Sequence, residues 1–573
     1  VFNLDWPDAL SSAAQQQQLI DLLDGLKEAG VNAVFFQIRS EADALYASEI
    51  EPWSFWVTGE QGHAPDPFYD PLALAVEEAH KRGMELHAWV NPYRVTNSAS
   101  YVRASDHLSQ QHPEWILTFP NFSMLDPGLP EVRDYVTRVI LDLARRYDVD
   151  GVHFDDFFYP YPPNQITSQD DSSFAIHHRG FVDRGDWRRD NVNRFIAQVY
   201  DSLQAAKPAL KFGISPFGIW KNGVPAGIVG LDAVNDIYAD ALAWLGDESI
   251  DYLVPQLYWP FAQVVNGDLV GAAQDYAVLA PWWAAQMFGR HLYIGHALFR
   301  ADPITVGVRT LYGSSEVPNQ VRFNRNDPDI LGSVFFRARN LTELASQGFA
   351  DSLTSDLYRY PALTPSMPWK DGRPPGALST LALESIGSGA IRLTWESPNS
   401  NDAHASARRY AVYRVRSSSE PDGASVVEEA RNLIAVTGET QRTDTPPSAE
   451  AYYYLVTAFS ANSIESAPSN LVRFDAPAVA VETEPSVAFR LHPNYPNPFM
   501  GHTEIRFTLE QPADVTLRIY DMLGREVAIL LKHARHDAGT HAARWNGTDD
   551  EGRRVSSGPY FYTLDVASRR VTK

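Results

Sequence analysis

The chain has no cysteine, so disulfides and thiolate metal sites are excluded. It has no apolar run of about twenty residues, the length a helix needs to cross a bilayer, so no transmembrane segment is expected. Cations are scarce: 48 Lys and Arg stand against 71 Asp and Glu, a formal net charge of −23. That balance disfavours nucleic acid and anionic membranes as partners and favours a neutral substrate. Also missing are the P-loop, the dinucleotide fingerprint after a strand and the His-Glu-x-x-His zinc motif. Gly213-Ile214-Ser215-Pro216-Phe217-Gly218 holds a serine but not the Gly-x-Ser-x-Gly elbow. His63, Asp66 and Asp70 fit no metal-ligand spacing, and a solvated loop suits them better. No metal and no cofactor is called for. Carboxylates are the chemical resource that is left, and glycoside hydrolysis needs two of them.

Length comes next. A chain of 573 residues exceeds one ordinary core, so two to four domains are expected. From Val1 to about Tyr360, strand-like runs alternate with amphipathic helical segments. The strands are read at Val1–Leu4, Asn32–Arg39, Glu85–Asn91, Gly151–Asp156, Lys211–Phe217, Asp251–Trp259, His291–Leu298 and Gly332–Arg337. Helices are read at Gln15–Ala29, Pro71–Arg82, Pro130–Arg146 and Asn191–Ala206, with Gly30 and Gly83 as helix-ending residues. Such alternation implies a parallel sheet, and eight repeats imply a (β/α)8 TIM barrel over 1–365. The predicted class is α/β, a TIM barrel followed by two all-β sandwich domains.

The stretch Asp150-Gly151-Val152-His153-Phe154-Asp155-Asp156-Phe157-Phe158-Tyr159-Pro160 organises the barrel. Alternation puts Val152 and Phe154 on one face and Gly151, His153 and Asp155 on the other. An apolar face for helices and a polar face ending in a carboxylate is the pattern of a catalytic barrel strand. A lone Asp there would more often cap the next element. Two of them, after a histidine and before Phe-Phe-Tyr-Pro-Tyr, favour a site. Asp155 is the leading catalytic candidate and Asp156 its partner or orienter. Asp240 and Glu316 are the other candidate proton donors, although capping is the commoner role for such residues.

Polar residues recur near the C-terminal ends of the strands, where barrel active sites lie. They are Gln37, Arg39, His87, Trp89, Asn91, His153, Ser215, Gln256, Tyr258, His296 and Arg337. Aromatics are plentiful, with 14 Trp and 26 Tyr, and such rings stack on sugars. Trp89, Tyr93, Tyr159, Trp187, Trp220, Tyr258 and Trp259 are candidate platforms, though packing is the safer role for any one of them. Arg39, Arg94, Arg188 and Arg337 are placed to hold a substrate carboxylate or to pair with Asp and Glu.

After Pro361 the composition shifts. Pro365, Pro368, Gly372, Pro374, Pro375 and Gly376 read as a linker. Short alternating strands such as Ile391–Trp395, Tyr410–Arg414 and Tyr452–Ala458 predict a β-sandwich over 377–475. A second linker, Ala476–Pro485, precedes a third domain at 487–573. The chain opens on a strand-like run and stops at Lys573, so a signal peptide, part of the first strand and a last short strand are expected beyond its ends.

Several ordered motifs resemble the glycoside-hydrolase-10-like family. They are Asn3-Leu4-Asp5-Trp6-Pro7, Phe36-Gln37-Ile38-Arg39, Ala88–Arg94, Asp150–Pro160, Trp187–Val192, Ile214–Trp220, Tyr238-Ala239-Asp240 and Asp251–Trp259. The resemblance covers residues 1–360 and implies a barrel hydrolase acting on a β-linked amino-sugar glycan, with peptide-free peptidoglycan strands as the substrate of a characterised relative; a hydrolase of another polysaccharide and a non-catalytic glycan-binding surface protein are the alternatives. More distant amylase-like barrels end their fourth strand in Gly-x-Arg-x-Asp, whose Asp is the nucleophile; Gly151-x-His153-x-Asp155 has that spacing with His in place of Arg. The second domain resembles a fibronectin type III module, with Trp395 on an early strand. Leu491–Phe499, Val515–Val527, Trp545-Asn546-Gly547 and Ser557–Tyr562 resemble the C-terminal sorting domain of type IX secretion. That implies the secretion machinery as partner and a secreted or outer-membrane-surface location in a Gram-negative bacterium.

Overall fold

A computed structural model describes the chain except residues 1–4, 9–10, 98–100, 266–267, 303–311, 343–347, 371, 379, 388, 399–404, 449, 476–488, 493, 495, 497–498, 500, 522–524, 557 and 567–568. It divides into two compact units, Val1–Pro477 and Ala478–Lys573.

The first unit is built on seven parallel strands: β1 Ala33–Arg39, β2 Glu85–Val90, β3 Gly151–Phe154, β4 Lys211–Ile214, β5 Tyr252–Leu253, β6 His291–His296 and β7 Ile330–Phe335. They pair in chain order, each beside the next. The expected first strand, Val1–Leu4, lies outside the described residues, so what the structure gives is a curled seven-stranded sheet rather than a complete eight-stranded barrel. Its curl is measurable. Strands four steps apart in a flat sheet would be separated by about 19 Å. Yet the Phe35 ring of β1 stacks on Tyr252 of β5 with centroids 6.1 Å apart.

Helices cover the convex face. They include α1 Ser12–Glu28, α2 Pro71–Lys81, α3 Pro130–Arg146, α4 Arg184–Ala206, α5 Ala241–Gly246, α6 Tyr276–Ala284 and α7 Glu316–Asn324. In α1 the buried Leu19, Leu22, Leu23 and Leu26 recur at helical spacing. In α2 the Asp70 side chain accepts from the backbone N–H groups of Leu72 and Ala73, both at 3.0 Å, which caps the first turn. Helix α4 begins seven residues before its expected start at Asn191, because Asp183 caps it by accepting from Asp186 N–H at 2.8 Å. Outward residues Val152 and Phe154 of β3 are fully buried, and Phe154 stacks on Phe195 of α4 at 5.6 Å.

Proline shortens two strands. Lys211–Phe217 pairs continuously only to Ile214, before Pro216. Asp251–Trp259 forms a ladder only at Tyr252–Leu253, and beyond Pro255 single bridges tie Gln256 to Phe217 and Gly295. A residue without an N–H cannot extend a ladder.

The predicted linker after Pro361 is a plug instead. Met367 is buried with Tyr252 and Val254, and Lys370 Nζ pairs with buried Asp251 at 2.8 Å. The following domain has a three-stranded and a four-stranded antiparallel sheet. Ile391, Leu393 and Trp395 of one meet Tyr410, Tyr454 and Val456 of the other in a shared core. It docks on the N-terminal end of the parallel sheet. Gly83 (φ +69°) lies so near Val436 that a Cβ there would fall 2.6 Å from its carbonyl, so both its backbone angle and this contact demand glycine.

The second unit, taken by itself, has another pair of antiparallel sheets, of three and four strands. Ile505, Phe507, Leu517, Ile519, Trp545 and Leu564 form its core. The linker at 476–485 and the motif residues Pro493, Tyr495, Asn497, Pro498, Met522, Leu523, Gly524 and Ser557 lie outside the described residues. No helix among the described residues is long and apolar enough to cross a membrane.

Candidate active site

Strand β3 stops at Phe154, and the two carboxylates follow at once. Asp155 Oδ1 accepts the backbone N–H of Phe157 at 3.1 Å, turning the chain off the sheet. Its Oδ2 accepts from Asn91 Nδ2, just beyond β2. Asn91 is itself held, since its Oδ1 accepts from Gln37 Nε2 at 2.7 Å. Arg39 Nη1 donates to the Asn91 backbone carbonyl at 2.6 Å.

Asp156 sits beside this group with its own proton affinity raised. Burial first, and the neighbouring Asp155 second, push its carboxyl up to about 7. Tyr161 OH donates a hydrogen bond to it. Asp155 and Asp156 line a pocket that runs the depth of the sheet, and at its C-terminal end they stand with Trp89, Arg94, His153, Ser215, Gln256, Tyr258 and Arg337. The Arg94 guanidinium lies over the Phe157 ring, 4.7 Å from its centroid. Gln256 Nε2 donates to the Ser215 carbonyl at 2.9 Å, and Arg337 pairs with Asp5 at 3.4 Å.

His153 sits one layer lower. Its ring stacks on Phe35 at 4.3 Å and lies parallel to Tyr252 at 5.8 Å. Burial, reinforced by His87, drives it well below the usual imidazole range, so it is neutral. Two glycines make room for this layer. A Cβ on Gly151 would fall 2.3 Å from His87 Nδ1, and one on Gly213 would fall 2.2 Å from the Tyr252 ring.

Other expected site residues are placed elsewhere. Arg39 is fully buried, donating to both Glu51 oxygens at 2.7 and 2.6 Å, and has no side-chain surface for substrate. Tyr93, Tyr159 and Trp187 are each 0 % exposed core residues, packed on Phe195, Tyr238 and Phe174. His296 is buried between Gln320 and Ser333, and burial lowers it to about 4. Trp220 stacks on Trp282, and Trp259 meets Phe217 edge-on; neither lines the pocket. Asp240 does what a lone Asp usually does: it caps α5 at Ala243 N–H and accepts from Trp220 Nε1 at 2.9 Å. Glu316 opens α7 and accepts from Phe261 N–H and Gln320 Nε2, each at 2.9 Å. Neither carboxylate lines the pocket, so of the four acids only Asp155 and Asp156 are brought together there.

Sequence reading missed Tyr161 and Tyr252. Tyr161 ends the Phe-Phe-Tyr-Pro-Tyr run and was legible only as part of an aromatic loop. Tyr252 shares the alternation of Gln256 and Tyr258, which is the signal that identifies it.

A parallel sheet whose strands end at a pocket with two adjacent carboxyls defines the chain as an α/β protein with a candidate acid–base site. The match to the glycosyl hydrolase-like 10 model covers residues 1–305, and the chain belongs to that family, a class of glycoside hydrolases. The chain is 36% identical to glycosyl hydrolase YngK of Bacillus subtilis over 480 residues, which is 80% of this chain and 89% of that protein. It is 37% identical to glycosyl hydrolase DigH of Escherichia coli K12 over 383 residues, 62% of this chain and 85% of that protein. The solved PgaB glycoside hydrolase domain of Bordetella bronchiseptica is similar with a TM-score of 0.43 at 13% identity, over 61% of this chain and 95% of that one. Residues 497–570 match the FlgD Ig-like domain model, so an Ig-like domain is found where a sorting domain was expected.

Proposed function

We propose that this protein hydrolyses O-glycosidic bonds of a β-linked amino-sugar glycan, with Asp156 as proton donor and Asp155 as the base or nucleophile. One observation carries the assignment: Asp155 and Asp156 share one pocket, and burial together with the neighbouring Asp155 pushes the Asp156 carboxyl up to about 7. A glycosidase needs one carboxyl that keeps its proton near neutral pH and a second that works as a carboxylate. The donors aimed at Asp155, from Asn91 and Phe157, suit the second role. Trp89 and Tyr258 supply sugar-facing rings, and Ser215 and Gln256 supply polar contacts.

The substrate to offer first is peptide-free peptidoglycan strands. Their lactyl carboxylate suits Arg94, whose guanidinium lines the pocket without an ion pair among the described residues. We assign the second domain to a fibronectin type III-like module, and the C-terminal unit to a type IX sorting role that delivers the enzyme to the outside of the cell. Secretion of a reporter fused to residues 478–573 tests the sorting role.

The enzymatic test is product release from such strands, followed by mass spectrometry. Soluble fragments from the parent and none from Asp155→Asn or Asp156→Asn support the assignment. Retention of the strands without cleavage would make the pocket a glycan-binding platform instead.

A further inference from the structure

Along the wall of the pocket, a polar chain runs the depth of the curled sheet. Ser215 Oγ lies 2.7 Å from His153 Nε2, and His153 Nδ1 lies 3.2 Å from Tyr252 OH. The same hydroxyl lies 2.8 Å from His87 Nδ1, and His87 Nε2 lies 3.1 Å from Glu85 Oε2. Glu85 Oε1 accepts from Lys211 Nζ at 2.6 Å and from Arg409 Nη2 at 2.7 Å. Arg409 does not belong to the parallel sheet. It opens the strand Arg409–Arg416 of the second domain and is 6 % exposed.

The chain has a direction, and the direction is set at its lower end. Burial opposes a charge on Glu85, but Lys211 and Arg409 hold it well below the usual carboxylate range. It therefore has no proton to give, and His87 Nε2–H donates to it. With its Nε2–H given to Glu85, a His87 ring carrying one proton has no hydrogen on Nδ1. The bare Nδ1 of His87 then accepts from Tyr252 O–H. The phenol oxygen accepts from His153 Nδ1–H, and His153 Nε2 accepts the Ser215 hydroxyl proton. Ser215 is left with lone pairs alone facing the pocket.

We propose that Arg409 is a positioning residue of the hydrolase site, acting through Glu85, His87, Tyr252 and His153 to fix Ser215 as a hydrogen-bond acceptor for an N–H or O–H donor on the substrate. The second domain is thereby a working part of the site. An acetamido N–H or a ring hydroxyl is the group Ser215 reads. The proposal rests on the hydrolase assignment above, but its first test does not use activity.

Histidine tautomers of the full chain are read by long-range 15N–1H correlation NMR. The parent protein should show His87 protonated on Nε2 and His153 on Nδ1. Glu85→Gln keeps the shape, and its amide oxygen stays with Lys211 and Arg409 while its NH2 faces His87. Both tautomers should invert, Ser215 should become a donor, and kcat/KM on the cleaved glycan should fall about tenfold to a hundredfold. Besides the members of the chain, Asp150, Asp251, His291 and Tyr293 also bear electrostatically on this region. Arg409→Met, which removes a donor and a cation from Glu85, should shift both histidines toward the inverted tautomers and lower kcat/KM, and Arg409→Lys should restore both.

The opposite tautomers in the parent protein would overturn the proposal, and that result needs no variant to fold. So would inverted tautomers in Glu85→Gln with kcat/KM unchanged. If the parent protein cuts no glycan, the hydrolase assignment falls by itself; the tautomers, and glycan dissociation constants of parent and Glu85→Gln, then decide whether Ser215 is set from Arg409.

Discussion

Asn91 donates to Asp155 through its Nδ2 while its Oδ1 accepts from Gln37 Nε2, so one amide is pinned on both sides. The orientation of Asp155 is thus decided two strands away, on β1. Asn91→Asp would put a second negative charge against Asp155 and remove its donor. We expect glycan hydrolysis to drop at least about a hundredfold, while Gln37→Ala, which only loosens the amide, costs closer to tenfold. Steady-state kinetics on the cleaved glycan with both variants checks the order; a Gln37→Ala enzyme weaker than Asn91→Asp contradicts it.

Asp156 controls the alkaline side of the pH profile. A proton donor must hold its proton, so kcat/KM should fall as pH rises through about 7. Asp156→Asn should lose about 10²–10⁴ in kcat, and that limb should vanish from whatever rate remains.

The same carboxyl has a stability cost of known sign. Its proton affinity is raised on folding, from an ordinary 3.8 to about 7, so the folded state holds a proton that the unfolded chain releases. Stability from this group is fully present below about pH 4 and is lost as pH rises to 7. Asp156→Asn is therefore expected to melt higher than the parent protein at pH 8, by on the order of 1 kcal/mol or more, and with little difference at pH 4. Thermal unfolding at the two pH values measures it.

Arg94 should discriminate by charge. Arg94→Ala is expected to raise KM for strands carrying lactyl carboxylates and to leave KM unchanged for the same strands after carboxyl reduction. An equal rise on both substrates would assign Arg94 to packing on Phe157 alone.

Arg39 and Glu51 form a buried two-pronged ion pair, with Tyr135 OH also donating to Glu51 at 3.2 Å. Glu51→Gln leaves the guanidinium buried against a neutral group. Destabilisation of about 3–5 kcal/mol is expected, seen as a lower urea midpoint with an unchanged slope.

Much of this architecture is legible in the residues themselves. Alternation at Val152, His153, Phe154 and Asp155 gave the correct faces of β3, and the periodic leucines of α1 gave a helix within a few residues of its bounds. The adjacent pair Asp155 and Asp156 was also visible, because two acids after a buried strand are rare. What failed has a common cause. Tyr93, Tyr159, Trp187 and His296 are chemically suited to a sugar cleft, but a strand-end aromatic is as easily turned inward, and no local pattern distinguishes the two. Arg39 was spent on Glu51, a contact across a loop that periodicity does not report. The Pro-rich stretch after Pro361 resembled a linker in composition, yet Met367 and Lys370 seat it under the sheet.

Glu85 also limits how the chain can be rearranged. Its carboxylate is shared by β2, β4, the segment at Thr364 and the second domain at Arg409 and Ser463. Grafting a different sandwich after residue 376, or ending the gene at residue 305 where the family match stops, would strip a buried acid of one of its two cations and of the Ser463 contact. Modules joined only by their termini can be shuffled freely; these two must be inherited, expressed and exchanged as one.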